Sequence, residues 1–182
     1  MSKKIAIISG SIRKDGYSTQ LAKTLQPLFP EGYETEIVGI AHLPLYNQDY
    51  DDGTPPESYT EFRQKMGKKD AVLFITPEHN RSIPAALKNV LDVGSRPKGR
   101  SAWSDKPAAV ISNSPGLLGG FGAHHHLRQV LTSLNMSTLQ HPEAYISNVA
   151  GLLDGNGGFK SENTQKFAQA IVDAFVKHID RY

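Results

Sequence analysis

Three short runs constrain this chain more than anything else in it: Ile5 to Ser9, Asp70-Ala-Val-Leu-Phe-Ile-Thr76, and Pro107 to Ser112. Each is almost entirely apolar or β-branched, with no polar residue alternating in. A strand exposed on one face needs that alternation, so these runs read as strands covered on both faces. Between them lie stretches with apolar residues at helical spacing: Leu21, Ala22, Leu25 and Leu28; Tyr59, Phe62 and Met66 after Pro55 and Pro56; and the span Pro84 to Val93. Two further helices are expected, from Leu127 to Leu134 and at the end of the chain, the latter with Phe167, Ile171, Ala174, Phe175 and Ile179 on one face. A second strand is expected at Tyr33 to Ile40, and short extended pieces at Met136 to Leu139 and Tyr145 to Ser147, before a Gly-rich loop from Gly151 to Gly158. Covered strands alternating with helices predict an α/β fold, a parallel sheet with helices on both faces.

The chain is 182 residues long, 38% hydrophobic and 21% charged, which suits one domain spanning 1–182. No stretch reaches the roughly 20 apolar residues of a membrane span. Met1 is followed by Ser2, Lys3, Lys4 and only a short apolar run, too little for a secretory signal, so a cytoplasmic location is expected. The formal charge is only +2 and the basic residues are scattered, which argues against nucleic acid as a partner. Cysteine is absent. Any redox chemistry must therefore come from a bound cofactor.

In a sheet of this kind ligands bind outside the carboxyl ends of the strands, where the strand order reverses. The loops after the first, third and fourth strands are the candidates. The first, Gly10 to Thr19, leads into a helix N-terminus and carries Gly10, Ser11, Gly16, Ser18 and Thr19 with Arg13, a composition suited to an anion. Five residues separate Gly10 from Gly16 and Tyr17 follows, so neither the triphosphate loop with its lysine nor the G-x-G-x-x-G dinucleotide turn is present. A single terminal phosphate fits better; a plain polar turn with Ser18 or Thr19 as helix cap is the competing reading. The loops Pro77 to Ser82 and Ser114 to Gly120 suit a planar heterocycle read by main-chain groups.

With GSIRK after the first strand, PLYNQD after the second, PEHN-x-S-x-P-x-x-L-K-N-x-x-D after the third and S-x-G-x-x-G-G followed by LRQ after the fourth, the chain resembles the flavodoxin-like NAD(P)H-dependent FMN reductases, which include quinone, azo-compound and chromate reductases. The resemblance covers nearly the whole chain. It implies a doubly wound five-stranded parallel sheet of order 2-1-3-4-5. It also implies FMN as cofactor and NADPH or NADH as co-substrate, with hydride passing from nicotinamide to flavin and electrons then to a small-molecule acceptor in a ping-pong cycle. The flavin carries the chemistry and no catalytic side chain is expected.

Carried onto this sequence, the resemblance puts Ser11, Arg13, Ser18, Thr19 and Gln20 at the FMN phosphate. Pro77, Glu78, His79, Asn80 and Ser82 line the ring and ribityl, and Ser114 and Gly116 close the other side. A homodimer or homotetramer is implied, with Tyr46 and Asp49 reaching a neighbour's flavin. Arg81 is either a contact for the NADPH 2′-phosphate or a solvated turn residue. The chain departs from the family at Gly16 and Ser18, where Ser and Asn are frequent, at His79, where tyrosine is common, and at Ala85 and Ala86, where a Gly-rich pair is often seen. The alternative function is an electron carrier of flavodoxin type without nicotinamide activity, disfavoured by the mild basicity; a flavin-free regulator is a third. His124, His125 and His126 are consecutive, so a helix points them in different directions and no metal site is expected. Trp103, between Arg100 and Asp105, is expected at the surface or an interface.

Overall fold

A computed structural model describes residues 2–182. The elements, in chain order, are β1 (Lys3–Ser9), α1 (Tyr17–Leu25), β2 (Tyr33–Ile37), α2 (Glu57–Gly67), β3 (Ala71–Pro77), α3 (Ala85–Gly94), β4 (Pro107–Asn113), α4 (Phe121–Ser133), β5 (Ser137–Thr138), β6 (Ala144–Ile146), α5 (Val149–Leu152) and α6 (Glu162–Ile179). The sheet runs β2-β1-β3-β4-β5, every pairing parallel. The flavodoxin-like order 2-1-3-4-5 is therefore present, with one refinement. The fifth strand is broken: Ser137–Thr138 pairs with the start of β4, and Ala144–Ile146 with its end.

The covered strands divide their side chains between two cores, as a period of two requires. Ala6, Ile8, Val72, Phe74, Ala108 and Val110 face α2, α3 and α4, while Ile5, Ile7, Leu73, Ile75, Ala109 and Ile111 face α1, α5 and α6. Both sides of β1, β3 and β4 are thus dry, which is why none of them tolerates polar alternation.

Several expectations need correction. Trp103 is fully buried, not at the surface: its indole Nε1 donates to the Leu91 carbonyl at 2.9 Å, and its ring lies 5.9 to 6.0 Å from those of Phe62 and Phe74. A large ring that satisfies its one donor on a helix carbonyl is at home in a core. Phe167 is 46% exposed; the buried face of α6 is Ala168, Ile171, Val172, Phe175 and Ile179. Helix α4 begins at Phe121, six residues before Leu127, because its first turn is capped from outside by a distant carboxylate described below. Strand β2 ends at Ile37, three residues short of Ile40.

Candidate flavin site

The loops after β1, β3 and β4 meet at the carboxyl rim of the sheet. Gly10 donates its amide to the Ile75 carbonyl at 2.8 Å, extending the β1–β3 pairing into the first loop. The knot beneath the rim is Asn113, 1% exposed at the end of β4. Its Nδ2 donates to Ser18 Oγ at 2.8 Å and to the Thr76 carbonyl at 3.2 Å, joining the tips of β3 and β4 to the first turn of α1.

The first loop is held by hydroxyls. Ser9 Oγ accepts from the Ser11 amide at 3.2 Å and lies 3.0 Å from Thr19 Oγ1, while Ser11 Oγ accepts from the Arg13 amide at 3.3 Å. The turn is wound so tightly that a Cβ on Gly16 would come within 2.4 Å of Ser11 Oγ, which accounts for glycine there in place of the frequent serine. Helix α1 then starts from Gly16 with no side-chain cap and no acidic residue in its first turn. Helix α6 shows the ordinary arrangement by contrast, with Ser161 Oγ accepting from the Thr164 amide and Glu162 beside it. The reading of Ser18 or Thr19 as a cap is thus not what the structure has. The Tyr17 and Ser18 amides find no acceptor among the described residues, and an uncapped helix N-terminus flanked by hydroxyls and the exposed Arg13 could hold a phosphate. Ser18 itself is fully buried, its hydroxyl turned inward to Asn113. Gln20 Nε2 is engaged with the Asp15 carbonyl at 3.1 Å.

The second loop is a two-residue reversal. His79 and Ser82 exchange both backbone bonds, at 2.9 and 3.0 Å, around Asn80 and Arg81 with φ of 49° and 66°. Positive φ at both central positions defines the tightest hairpin turn, and asparagine tolerates it well. The His79 and Ser82 main chain is consumed in the turn, which leaves the Asn80 and Arg81 amides for a ligand. The Glu78 side chain turns toward the third loop. Its Oε2 accepts from the Ala123 amide at 3.1 Å, at the N-terminus of α4, and its Oε1 lies 3.3 Å from Arg81 Nη1. A carboxylate at that end of a helix is stabilising and here ties the second loop to the third. Glycine at 122 leaves room for it, since a Cβ there would sit 2.8 Å from the Arg81 carbonyl oxygen.

The third loop closes the rim. Ser114 Oγ donates to the Gly116 carbonyl at 3.1 Å, and its amide donates to the Ile146 carbonyl at 3.0 Å. Ile12, Leu117, Leu118 and Phe121 stand out from the first and third loops as exposed apolar side chains.

Of the consecutive histidines, His124 is buried, with neither ring nitrogen hydrogen-bonded, and burial pushes its pKa down to about 4, helped by Arg128 and His125. His125 Nε2 lies 3.2 Å from Tyr145 OH, and His126 Nδ1 lies 3.0 Å from Ser82 Oγ. Burial, then the hydrogen bond to Glu143, raises the Tyr145 pKa to about 12.

Tyr46 and Asp49 follow β2, whose carboxyl end lies at the same edge of the parallel sheet. Tyr46 is pinned on the α2–α3 side, its amide donating to Asn89 Oδ1 at 2.7 Å and its hydroxyl to Asp51 Oδ2 at 2.6 Å. Asp49 is exposed and closes a local turn with Asn47. Sequence reasoning assigned no role to Asn113, Asn89 or Asp51, although Asn89 lies in the quoted motif after the third strand. For Asn113 a signal exists, a lone amide at the tip of an otherwise apolar strand.

The cradle fits FMN: one anion-binding helix end with hydroxyls, and beside it two turns whose free amides and small residues admit a flat ring. Comparison with known proteins agrees. The family model described as NADPH-dependent FMN reductase matches residues 3–151. A quinone reductase of Pseudomonas putida is 50% identical over 175 residues, covering 96% of this chain and 94% of the relative. A 2-hydroxy-1,4-benzoquinone reductase of a Burkholderia species is 42% identical, covering 96% and 95%. The structure of FerB, a flavoenzyme NAD(P)H:(acceptor) oxidoreductase from Paracoccus denitrificans, superimposes with a TM-score of 0.91 at 40% identity, covering 98% of both chains. With a family model matching most of its length and relatives of up to 50% identity over nearly all of it, the chain belongs to the NADPH-dependent FMN reductase family.

Proposed function

We propose that this NAD(P)H-dependent FMN oxidoreductase reduces quinones, its FMN phosphate held by the first loop and the flat ring by the second and third. The observation that carries the cofactor placement is the uncapped start of α1 beside Ser9, Ser11 and Thr19. The exposed Ile12, Leu117, Leu118 and Phe121 favour an apolar, planar acceptor over an oxyanion. Bound FMN supplies hydride acceptance from the nicotinamide and electron delivery to the quinone.

The residues of this chain bind and orient. Ser11, Arg13 and Thr19, with the Tyr17 and Ser18 amides, hold the phosphate; Gln20 braces the loop through Asp15. Pro77, Glu78, His79, Asn80 and Ser82 form the turn beneath the ring, with the Asn80 and Arg81 amides as donors to its polar edge. Ser114 and Gly116 bound its far side, and Glu78 keeps the two turns in register by its grip on α4. Amides fixed in place before the reaction favour charge developing on the ring without any reorganisation. Tyr46 and Asp49 complete a neighbour's site in a homodimer or homotetramer.

Protein reconstituted with FMN and supplied with NADPH or NADH is expected to reduce a benzoquinone at a higher kcat/KM than azo, nitro or chromate acceptors. A faster azo or chromate reaction refutes the acceptor assignment. Oxidation of nicotinamide that is absent with every acceptor, despite bound FMN, would return the molecule to the electron-carrier class. Light scattering tests the assembly: a monomer at micromolar concentration removes the cross-subunit role of Tyr46 and Asp49.

A further inference from the structure

A groove of about 440 Å³ continues from the phosphate cradle along the outer face of α1, a volume within the range of small-ligand sites. It shares Thr19 and Gln20 with the cradle and passes Lys23 one turn further on, with Lys14 at its mouth. Its opposite wall is the glycine loop 155–158. Neither lysine is in an ion pair among the described residues. Helical side chains lean toward the N-terminus of their helix, so Lys23 is directed back to the end where the phosphate sits.

The glycine wall is built, not slack. Asp154 Oδ1 accepts from the amides of Asn156 at 2.7 Å and Gly158 at 2.9 Å, and the Asp154 amide returns a bond to the Gly158 carbonyl at 3.1 Å. Those amide bonds hold the Asp154 carboxyl below its usual pKa, so it stays ionised. Gly155 and Gly157, at φ of 81° and 90°, face open space, and their amides have no acceptor among the described residues. Polarity changes along the groove: Lys14, Asp15 and the helix end lie at the cradle side, and Lys23 and the bare backbone amides of the glycine wall follow.

We propose that this groove takes the adenylate half of flavin adenine dinucleotide, so that the protein accepts FAD as well as FMN. The proposal rests on the placement of the FMN phosphate given above. The second phosphate of FAD is joined to the first and must leave the cradle beside Lys14 and Lys23. The neutral adenosine then lies against the glycine wall, where the Gly155 and Gly157 amides can donate to its acceptors. A nicotinamide dinucleotide brings an adenylate too, but its reactive ring must lie over the open flavin face on the second and third loops, so its own phosphates do not enter this groove.

The test is titration of flavin-free protein with FMN and with FAD, read by quenching of flavin fluorescence, for the parent and for Lys23→Ala. An exposed α1 lysine changed to alanine keeps the helix intact. The FAD dissociation constant is expected within about tenfold of that for FMN, and Lys23→Ala is expected to weaken FAD by about fivefold and FMN by less than about twofold, the scale of one partly screened charge contact. FMN binding with FAD more than about a hundredfold weaker overturns the groove and leaves the FMN reading standing. Equal weakening of both flavins by the substitution overturns it as well, as does a rise in the NADPH KM of the variant with unchanged FAD affinity. Failure of both flavins to bind overturns this proposal together with the reading beneath it.

Discussion

The bond from Asn113 to Ser18 decides how the phosphate loop works, and a pair of truncations isolates it. Asn113 Nδ2 makes two hydrogen bonds, at 2.8 and 3.2 Å, in a place with 1% exposure, so Asn113→Ala loses both and strands the Ser18 hydroxyl away from water, while the Thr76 carbonyl keeps its place in the β3–β4 ladder. Each bond is worth about 1 kcal/mol net and the stranded hydroxyl about 1 kcal/mol or more, giving a loss of about 2–4 kcal/mol. Ser18→Ala removes one of those bonds and should cost about 1–2 kcal/mol. The double variant should then lose about 1 kcal/mol less than the sum, since the shared bond can be broken only once. Urea unfolding resolves this: at an m of about 2 kcal/mol per molar, Asn113→Ala moves the midpoint by about 1–2 M. FMN titration adds the functional half. With the hydroxyl turned inward, Ser18→Ala weakens FMN in the parent but has no further effect once Asn113 is alanine. A strictly additive cycle in stability, or an undiminished loss of FMN affinity in the Asn113→Ala background, refutes the inward role and returns Ser18 to direct phosphate contact.

Glu78→Ala uncovers the Ala123 amide at the start of α4 and should destabilise the protein by about 1–2 kcal/mol, lowering Tm by several degrees in a calorimetric scan. An unchanged Tm would mean that the carboxylate does not brace the helix. Arg81→Ala should leave stability within about 0.5 kcal/mol, because its guanidinium is 76% exposed, yet raise the KM for NADPH more than that for NADH if it meets the 2′-phosphate; equal effects on the two co-substrates remove that role. His124 has a folded-state pKa of about 4 against about 6.5 unfolded, so the folded state binds fewer protons and stability present above pH 6.5 is lost as pH falls toward 4. The loss between pH 7 and pH 5 is about 2 kcal/mol, measured as a shift in the urea midpoint, and His124→Phe should flatten it; the same slope in the variant assigns the effect elsewhere.

What could be read from the sequence follows from how local the physics is. Strands β1, β3 and β4 are covered on both faces and must be apolar throughout, so they declare themselves without reference to anything distant. The phosphate loop is similarly local, glycine and hydroxyls feeding a helix. Features set by long-range partners were hidden. The start of α4 depends on a carboxylate 45 residues away, and Phe121, Gly122 and Ala123 on their own give no helical pattern. Trp103 sits among charged neighbours in sequence, and only the packing of Phe62 and Phe74 beneath it reveals a core position. The candidate cradle could be proposed from the sequence as a set of loops, whereas the direction of each side chain within it could not: Ser18 and Glu78 lie in those segments yet spend their side-chain polar atoms on the protein itself.

The broken fifth strand governs how the sheet meets other molecules. Two residues of β5 and three of β6 cover opposite ends of β4, and the segment between them, with Pro142 and its missing amide, arches away. At the opposite border β2 presents Glu34 and Glu36, the latter clasped by Lys65 and Lys69. An incoming chain finds no long flat row of unpaired amides at either side, so lateral growth into ribbons or fibrils is blocked at both margins. Any self-association would have to use helix faces and loops, which leaves the hydrogen-bonded ladder undisturbed.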